Sequence, residues 1–328
     1  MTVRRSAVLD ITLTAILWGV PALFIRYFTG YLDAHTQNFW RYGSAVAFLY
    51  VYGGWSGQRM ICRDGRALVR IAAAAAILAA YQVCFTLSLY HAMPALVSLL
   101  IQIELIVAIG LSCLFFADER RVAGSPWFIL GAGAALAGAV GMVVFSRRFG
   151  LAAAEQTARR ELMTAVALVV GAAALWGAYA VAMKWCLEVV PPYPAFTGVA
   201  TAATAILLIL SITRGGLSTI AAMPLGGVLL VFLSGVACIG IAHILYARAI
   251  RGLGVAACNT VILACPVVAA MASRIVFDER LTGRQILSAM VLLAGAAATI
   301  RAHNRRDRDV VLTDEAAEKT GQVASPPH

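Results

Sequence analysis

The sequence predicts an all-α membrane protein: ten transmembrane helices set out as two inverted five-helix repeats, followed by a disordered C-terminal tail. Three observations carry that expectation. The 328-residue chain is 61% hydrophobic and 13% charged, with a mean hydropathy of +0.84, against about 45–50% apolar residues in soluble domains. Its apolar residues come in long runs, each of about the twenty residues that a helix needs to cross a bilayer. The triplet Asp118-Glu119-Arg120 of "FFADERR" returns as Asp278-Glu279-Arg280 of "IVFDERL", each copy closing one such run.

Helices are expected because a bilayer offers the backbone no hydrogen-bond partners, and a helix satisfies its own. Barrel strands would alternate apolar and polar residues; runs such as "AAAAAILAA" at 72–80 do not. The start, "MTVRRSAVLDITLTAILWGV", has a basic beginning but no small-residue cleavage site after its apolar run, so it reads as an uncleaved first helix. The expected spans are roughly 8–29, 36–54, 69–91, 94–117 and 126–146, then 163–187, 194–213, 225–247, 254–277 and 282–302. The polar segment 147–162, "RRFGLAAAEQTARREL", links a first repeat (8–146) to a second (163–302). Residues 303–328 are charged and end in Pro-Pro-His, the composition of a disordered tail.

The halves correspond along their length. "AILWGVPALFIRY" at 15–27 matches "AALWGAYAVAMKW" at 173–185, placing Trp18 on Trp176, Gly19 on Gly177 and Arg26 on Lys184. "LAGA" at 136–139 returns at 293–296, with the two DER triplets between these landmarks. Five spans per repeat put the second repeat into the membrane upside down. Inverted repeats are a transporter architecture, with the solute site near the midplane between halves. Arginines are denser in the segments that would face the cytoplasm if both termini lie inside, although Arg147, Arg148, Arg159 and Arg160 of the linker run against that bias.

The net charge of +10 sits in loops and tails rather than along one helix face, which fits the positive-inside rule and anionic lipid, not a nucleic-acid surface. Seven cysteines, odd in number and without C-x-x-C spacing, argue for neither a disulfide framework nor a metal site. No nucleotide-binding G-x-x-x-x-G-K-[ST] loop occurs, and no cluster of acids, histidines or nucleophiles points to an enzyme or a cofactor.

The motifs "LWG" in the first helix of each half, "FWRYGSAVAFL" and the closing "VVAAMASRIVFDERLTGRQILSAMVLLAGA" resemble the drug/metabolite transporter superfamily, in particular its ten-helix EamA-type members. Pro266, Glu279, Arg280, Gly283 and Gly295 fit the pattern of the closing stretch; Ile106 stands where a proline would match Pro266 in the first half. The resemblance spans about residues 8–302 and implies export of a small metabolite. "LWGVPALFIRY" and "AYQVCFTLSLYHA" also resemble the aromatic-amino-acid exporters of that superfamily.

Among polar residues, Glu104 is the sharpest candidate, lying mid-span in "ALVSLLIQIELIVAIGL". An ionisable group there costs a few kcal/mol and faces a cavity or a partner; it is either a proton-coupling site or a structural acid satisfied by a neighbouring helix. Gln102 and Ser98 share a helical face and could bind solute or bond between helices. Arg26 and Lys184 could snorkel to the interface, bind a carboxylate or pair with Glu104; Arg41 is open to the same readings. Trp18 and Trp176 could form an aromatic wall or ordinary packing, and Tyr81, Tyr90, His91, Tyr179 and His243 are weaker candidates of that kind. The DER triplets read as devices that end one helix and start the next. Gly133, Ala137 and Gly141 form a small stripe for close helix approach.

The expected function is therefore secondary transport of a small metabolite, an amino acid or amphipathic compound, across the inner or plasma membrane. Alternating access, efflux and proton coupling complete that expectation. The alternative is a non-transporting receptor or assembly protein that relies on the charged tail.

Overall fold

Where the apolar runs lie, the backbone is helical. The computed structural model describes residues 3–57, 64–92, 97–98, 100–145, 159–277 and 282–319. In chain order these form α1 (Val3–Trp18), α2 (Pro21–Phe28), α3 (Ala34–Ser56), α4 (Gly65–His91), a 3-10 turn (Ile101–Ile103), α5 (Glu104–Phe115), α6 (Ala117–Ala123) and α7 (Pro126–Val144). The second half continues with α8 (Arg159–Leu187), α9 (Pro192–Arg214), a 3-10 turn (Leu217–Ala222) and α10 (Leu225–Gly235). A π turn (Val236–Ile241), α11 (Ala242–Ile262), α12 (Cys265–Phe277) and α13 (Gly283–Lys319) complete it. No strand occurs among the described residues.

Among the described residues, seven helical stretches are long and apolar enough to cross a membrane: Arg5–Phe28, Gly65–His91, Pro126–Val144, Met163–Leu187, Pro192–Arg214, Leu225–Ile262 and Gly283–Ala302. The other expected spans fall short of that standard for visible reasons. α3 is long enough, but Gln37, Asn38, Arg41 and Ser44 on its buried face lower its hydropathy. α5 and α12 are short because their spans are interrupted.

The distribution of polarity is inverted relative to a soluble domain. Leu114, Leu130 and Leu225 are 67%, 67% and 74% exposed, while Asn38, Gln82, Thr86, Glu104, His243 and Asn259 are buried. A surface of that kind is stable only against an apolar solvent.

The helices pack chiefly as pairs: α1 on α11, α4 on α8, α3 on α9 and α7 on α13. The α7–α13 contact is backbone-close. A Cβ at Gly138 would lie 2.6 Å from the Ser288 carbonyl oxygen and 2.7 Å from Leu292 Cβ; one at Gly131 would lie 2.9 Å from the Gly295 oxygen. The small face is thus Gly131, Ala135 and Gly138, joined by Gly141. The expected stripe is wrong at two of its three members: Gly133 meets nothing within 4 Å and Ala137 is exposed. Spacing of four identified a stripe, but the helix carries two, and α13 covers only one of them.

Asp33 caps α3, accepting from the His35 and Thr36 amides at 2.9 and 3.0 Å. It also accepts from the Gly216 amide at 2.9 Å, tying the start of α3 to the end of α9. Gly57, at φ 66°, closes α3 with its amide on the Gly53 oxygen. At the C-terminus the structure departs from expectation. α13 continues through Lys319, so the backbone of 303–319 is helical where a disordered tail is predicted. No glycine or proline occurs between Gly295 and Gly321, so nothing in the sequence stops the helix. Residues 320–328 lie outside the described residues.

Two outcomes follow from this packing. Gly138→Val should destabilise the fold by about 1–3 kcal/mol through overpacking, read as a lower unfolding midpoint in detergent, whereas Gly133→Ala should leave the midpoint unchanged or raised. Partial burial opposes ionisation of Asp33, but the bonds from Gly216, Thr36 and His35 outweigh it and hold its carboxyl below the usual range. A depressed folded-state value stabilises above the unfolded value of about 3.9 and is lost as pH falls through the lower one. Acid unfolding curves of wild type and Asp33→Asn should therefore converge below about pH 4 and separate above it, in favour of wild type.

Candidate functional site

Four interruptions of helix among the described residues fall in one place. The first span breaks at Gly19-Val20, where Pro21, with no N–H to give, opens α2 at its first turn. The fourth span opens α5 at Glu104, after the 3-10 turn. A π turn over 236–241 widens the eighth span, and Leu263-Ala264 separates α11 from α12. Between them lies a cavity of about 140 Å³. Trp18, Gly19, Pro21, Gln102, Glu104, Cys238, Ile262 and Cys265 line it, each at or beside one of these breaks.

Its wall is aromatic. Trp18 and Trp176 meet edge to face at 4.9 Å, Tyr81 stands 4.9 Å from Trp176, and Tyr81 stacks on Phe85 at 5.7 Å. Each indole nitrogen is held: Trp18 Nε1 donates to the Cys238 carbonyl at 2.8 Å, and Trp176 Nε1 to Asn259 Oδ1 at 3.0 Å. The π turn explains the first bond, since widening the helix at 236–241 leaves a carbonyl for a partner outside it. The glycine after each tryptophan has an equally physical reason. A Cβ on Gly177 would lie 2.7 Å from Val107 Cγ1 and 2.8 Å from the Ala108 amide nitrogen, and one on Gly19 would collide with Val268. "LWG" puts an aromatic ring beside the cavity and a bare backbone against a broken span.

Of the residues singled out in the sequence, Trp18, Trp176, Tyr81, Ser98, Gln102, Glu104 and Arg41 line the cavity. Tyr179 stands behind it, 5.4 Å from Trp176, with its hydroxyl buried and unpartnered. Arg26 and Lys184 lie elsewhere. Arg26 Nη1 donates to the Leu89 carbonyl at 3.3 Å, and Lys184 Nζ contacts Asp118 at 2.5 Å and Glu119 at 2.7 Å. Neither makes the pairing with Glu104 that the sequence left open. Among the described residues no hydrogen bond or ion pair reaches the Glu104 carboxyl, which is 8% exposed and opens α5, the helix end that favours negative charge.

Sequence reasoning missed Gln82. It bonds Asn38 and Thr86 at 3.2 and 3.1 Å beside the cavity, a network that ties α3 to α4. Its signal was available: an amide mid-span in "AYQVCF" needs partners as much as Glu104 does. His243, weighed only as a weak candidate, lines the cavity, stacked on Phe196 at 4.8 Å.

Glu119 is a correction of a different kind. The first DER triplet lies, as expected, where α5 ends and α6 begins, with Asp118 and Glu119 in the first turn of α6; Glu119 in addition serves a helix N-terminus in the other half of the chain. Gly254, at φ 79°, breaks α11, and Glu119 accepts from the Val255 and Ala256 amides just beyond it at 2.6 and 3.1 Å. The second triplet, Asp278-Glu279-Arg280, lies outside the described residues. Glu119→Ala would free two buried amides and half of the Lys184 site. The expected loss is about 3–5 kcal/mol, with a smaller one for Glu119→Gln, measured as unfolding midpoints; an unchanged midpoint in both would remove Glu119 from this role.

Residues 163–301 match the family model of the EamA-like transporter family, so the second half of the chain is an EamA-like transporter domain. No curated protein matches the chain. Among solved structures, 28 chains match. One crystal structure superposes with a TM-score of 0.73 at 20% identity, covering 92% of this chain and 99% of that one. At that identity the likeness is one of fold. The apolar helices identify a multi-pass membrane protein, whose residues 163–301 carry the match to the EamA-like transporter family.

Proposed function

We propose that the chain is a secondary transporter that exports a small amphipathic metabolite, in the size range of an amino acid, by alternating access. The observation that carries this reading is the cavity itself: a polar-floored, aromatic-walled space at which four helices are interrupted. In a bilayer, irregular backbone is tolerated where it lines a solute path.

The reading includes ten spans in two inverted repeats, and the packing supports it. A twofold axis exchanging the halves would send α1 to α8 and α11 to α4, turning the α1–α11 pair into α8–α4. The pairs α3–α9 and α7–α13 would map onto themselves. The same exchange sends the Gly19 contact on α12 to the Gly177 contact on α5. Arginine density in the loops supports cytoplasmic termini in a plasma or inner membrane.

Glu104 is the coupling residue in this proposal. A carboxyl inside the cavity with no partner among the described residues can take up a proton from one side and release it to the other as the cavity reopens. In proteoliposomes, uptake of a labelled panel of amino acids, sugars and lipophilic cations should respond to a pH gradient for one class. Glu104→Gln should abolish that response while the unfolding midpoint stays in place. Uptake with unchanged pH dependence in the variant would remove Glu104 from coupling, and no uptake of any class would contradict the transport reading.

A further inference from the structure

The cavity holds a cation that makes no ion pair among the described residues. Arg41, on the buried face of α3, is 2% exposed. A guanidinium stays protonated in a protein and carries five N–H donors. Here Nε donates to Ser234 Oγ at 3.2 Å, and Nη1, fully buried, has no partner. The ion pairs formed by the described residues use Asp10, Asp118, Glu119 and Glu188; none includes Arg41. A buried, unpaired charge costs several kcal/mol, so an arginine placed this way is built to receive an anion.

Two further cavity groups fit one ligand chemistry. Gln102 has its Nε2 buried and unpartnered. The His243 Nδ1 faces the Ile239 carbonyl at 3.1 Å. That oxygen only accepts, so the ring hydrogen sits on Nδ1, and the unpartnered Nε2 presents a lone pair. Arg41 and Gln102 thus offer donors, His243 an acceptor, and the tryptophan pair a flat apolar wall. A single guanidinium offsets a single negative charge. The matching group is a monoanionic carboxylate, not a phosphate.

We propose that Arg41 is the carboxylate receptor of this cavity, and that its ligands are small carboxylates on an apolar or aromatic body. The proposal rests on the transport reading only in taking the cavity as the solute site, and it is tested by binding rather than by transport. The probes share one skeleton: 3-phenylpropionate (anion), phenylalanine (zwitterion), 3-phenylpropanamide (neutral) and 2-phenylethylamine (cation). Titrated against the purified full chain in detergent, both carboxylates should bind at least about tenfold tighter than the amide and the amine, the worth of one charge-assisted bond. Arg41→Met should erase that margin, and Arg41→Lys should restore part of it. Equal binding of amide and carboxylate by wild type, or tighter binding of the amine, overturns the proposal even if no Arg41 variant folds. So does a margin that survives in Arg41→Met. Carboxylate binding without uptake in proteoliposomes would sink the transport reading and leave Arg41 as receptor; uptake with no carboxylate preference would do the reverse.

Discussion

In an apolar solvent every backbone amide and carbonyl needs a partner within the protein. That constraint decides where this chain can depart from regular helix. Its interruptions are confined to the interior, and side chains from the opposite half meet the groups they free. Trp18 takes the Cys238 carbonyl and Thr14 the Ala242 carbonyl, at 2.8 and 3.2 Å, while Glu119 takes the amides of Val255 and Ala256. The halves are therefore joined at the points where their own helices fail. The same joints surround a cavity, because broken helices cannot pack as tightly as whole ones.

Two demands compete around that cavity. The helices must approach closely enough to exclude lipid, which the bare backbone at Gly19 and Gly177 permits. They must also leave polar groups facing space rather than each other, as at Arg41, Gln102, Glu104 and His243. Away from the cavity only the first demand operates. There α7 and α13 press glycine against backbone.

The helical fold was legible because apolar length and the duplicated "LWG" and "DER" landmarks are properties of the chain read in order. So were most of the polar and aromatic cavity residues, since a tryptophan, glutamate or arginine inside an apolar run is conspicuous. Less legible was anything set by the pairing of distant helices. The partner of Glu119 lies at 255–256, and nothing local points there. The stripe through Gly133 was as regular as the one through Gly138 until α13 covered one of them. Lys184 and Arg26 occupy matching places, yet they find different partners, because the halves have diverged in what surrounds them: carboxylates for one, a helix-end carbonyl for the other. The long α13 was hidden by composition; charge density suggested disorder, whereas freedom from glycine and proline decided the backbone.

In the proposed transport cycle the cavity opens to the two faces of the membrane in turn. Ser98 lines it, and a cysteine there, in a chain whose seven native cysteines are replaced by alanine, reports which face it meets. A membrane-impermeant maleimide would be applied from the inner or the outer side of oriented vesicles. Alternating access predicts labelling from both sides, in a ratio that shifts when a transported solute is added. Labelling from one side only, whatever the solute, or from neither while solute still crosses, would contradict it.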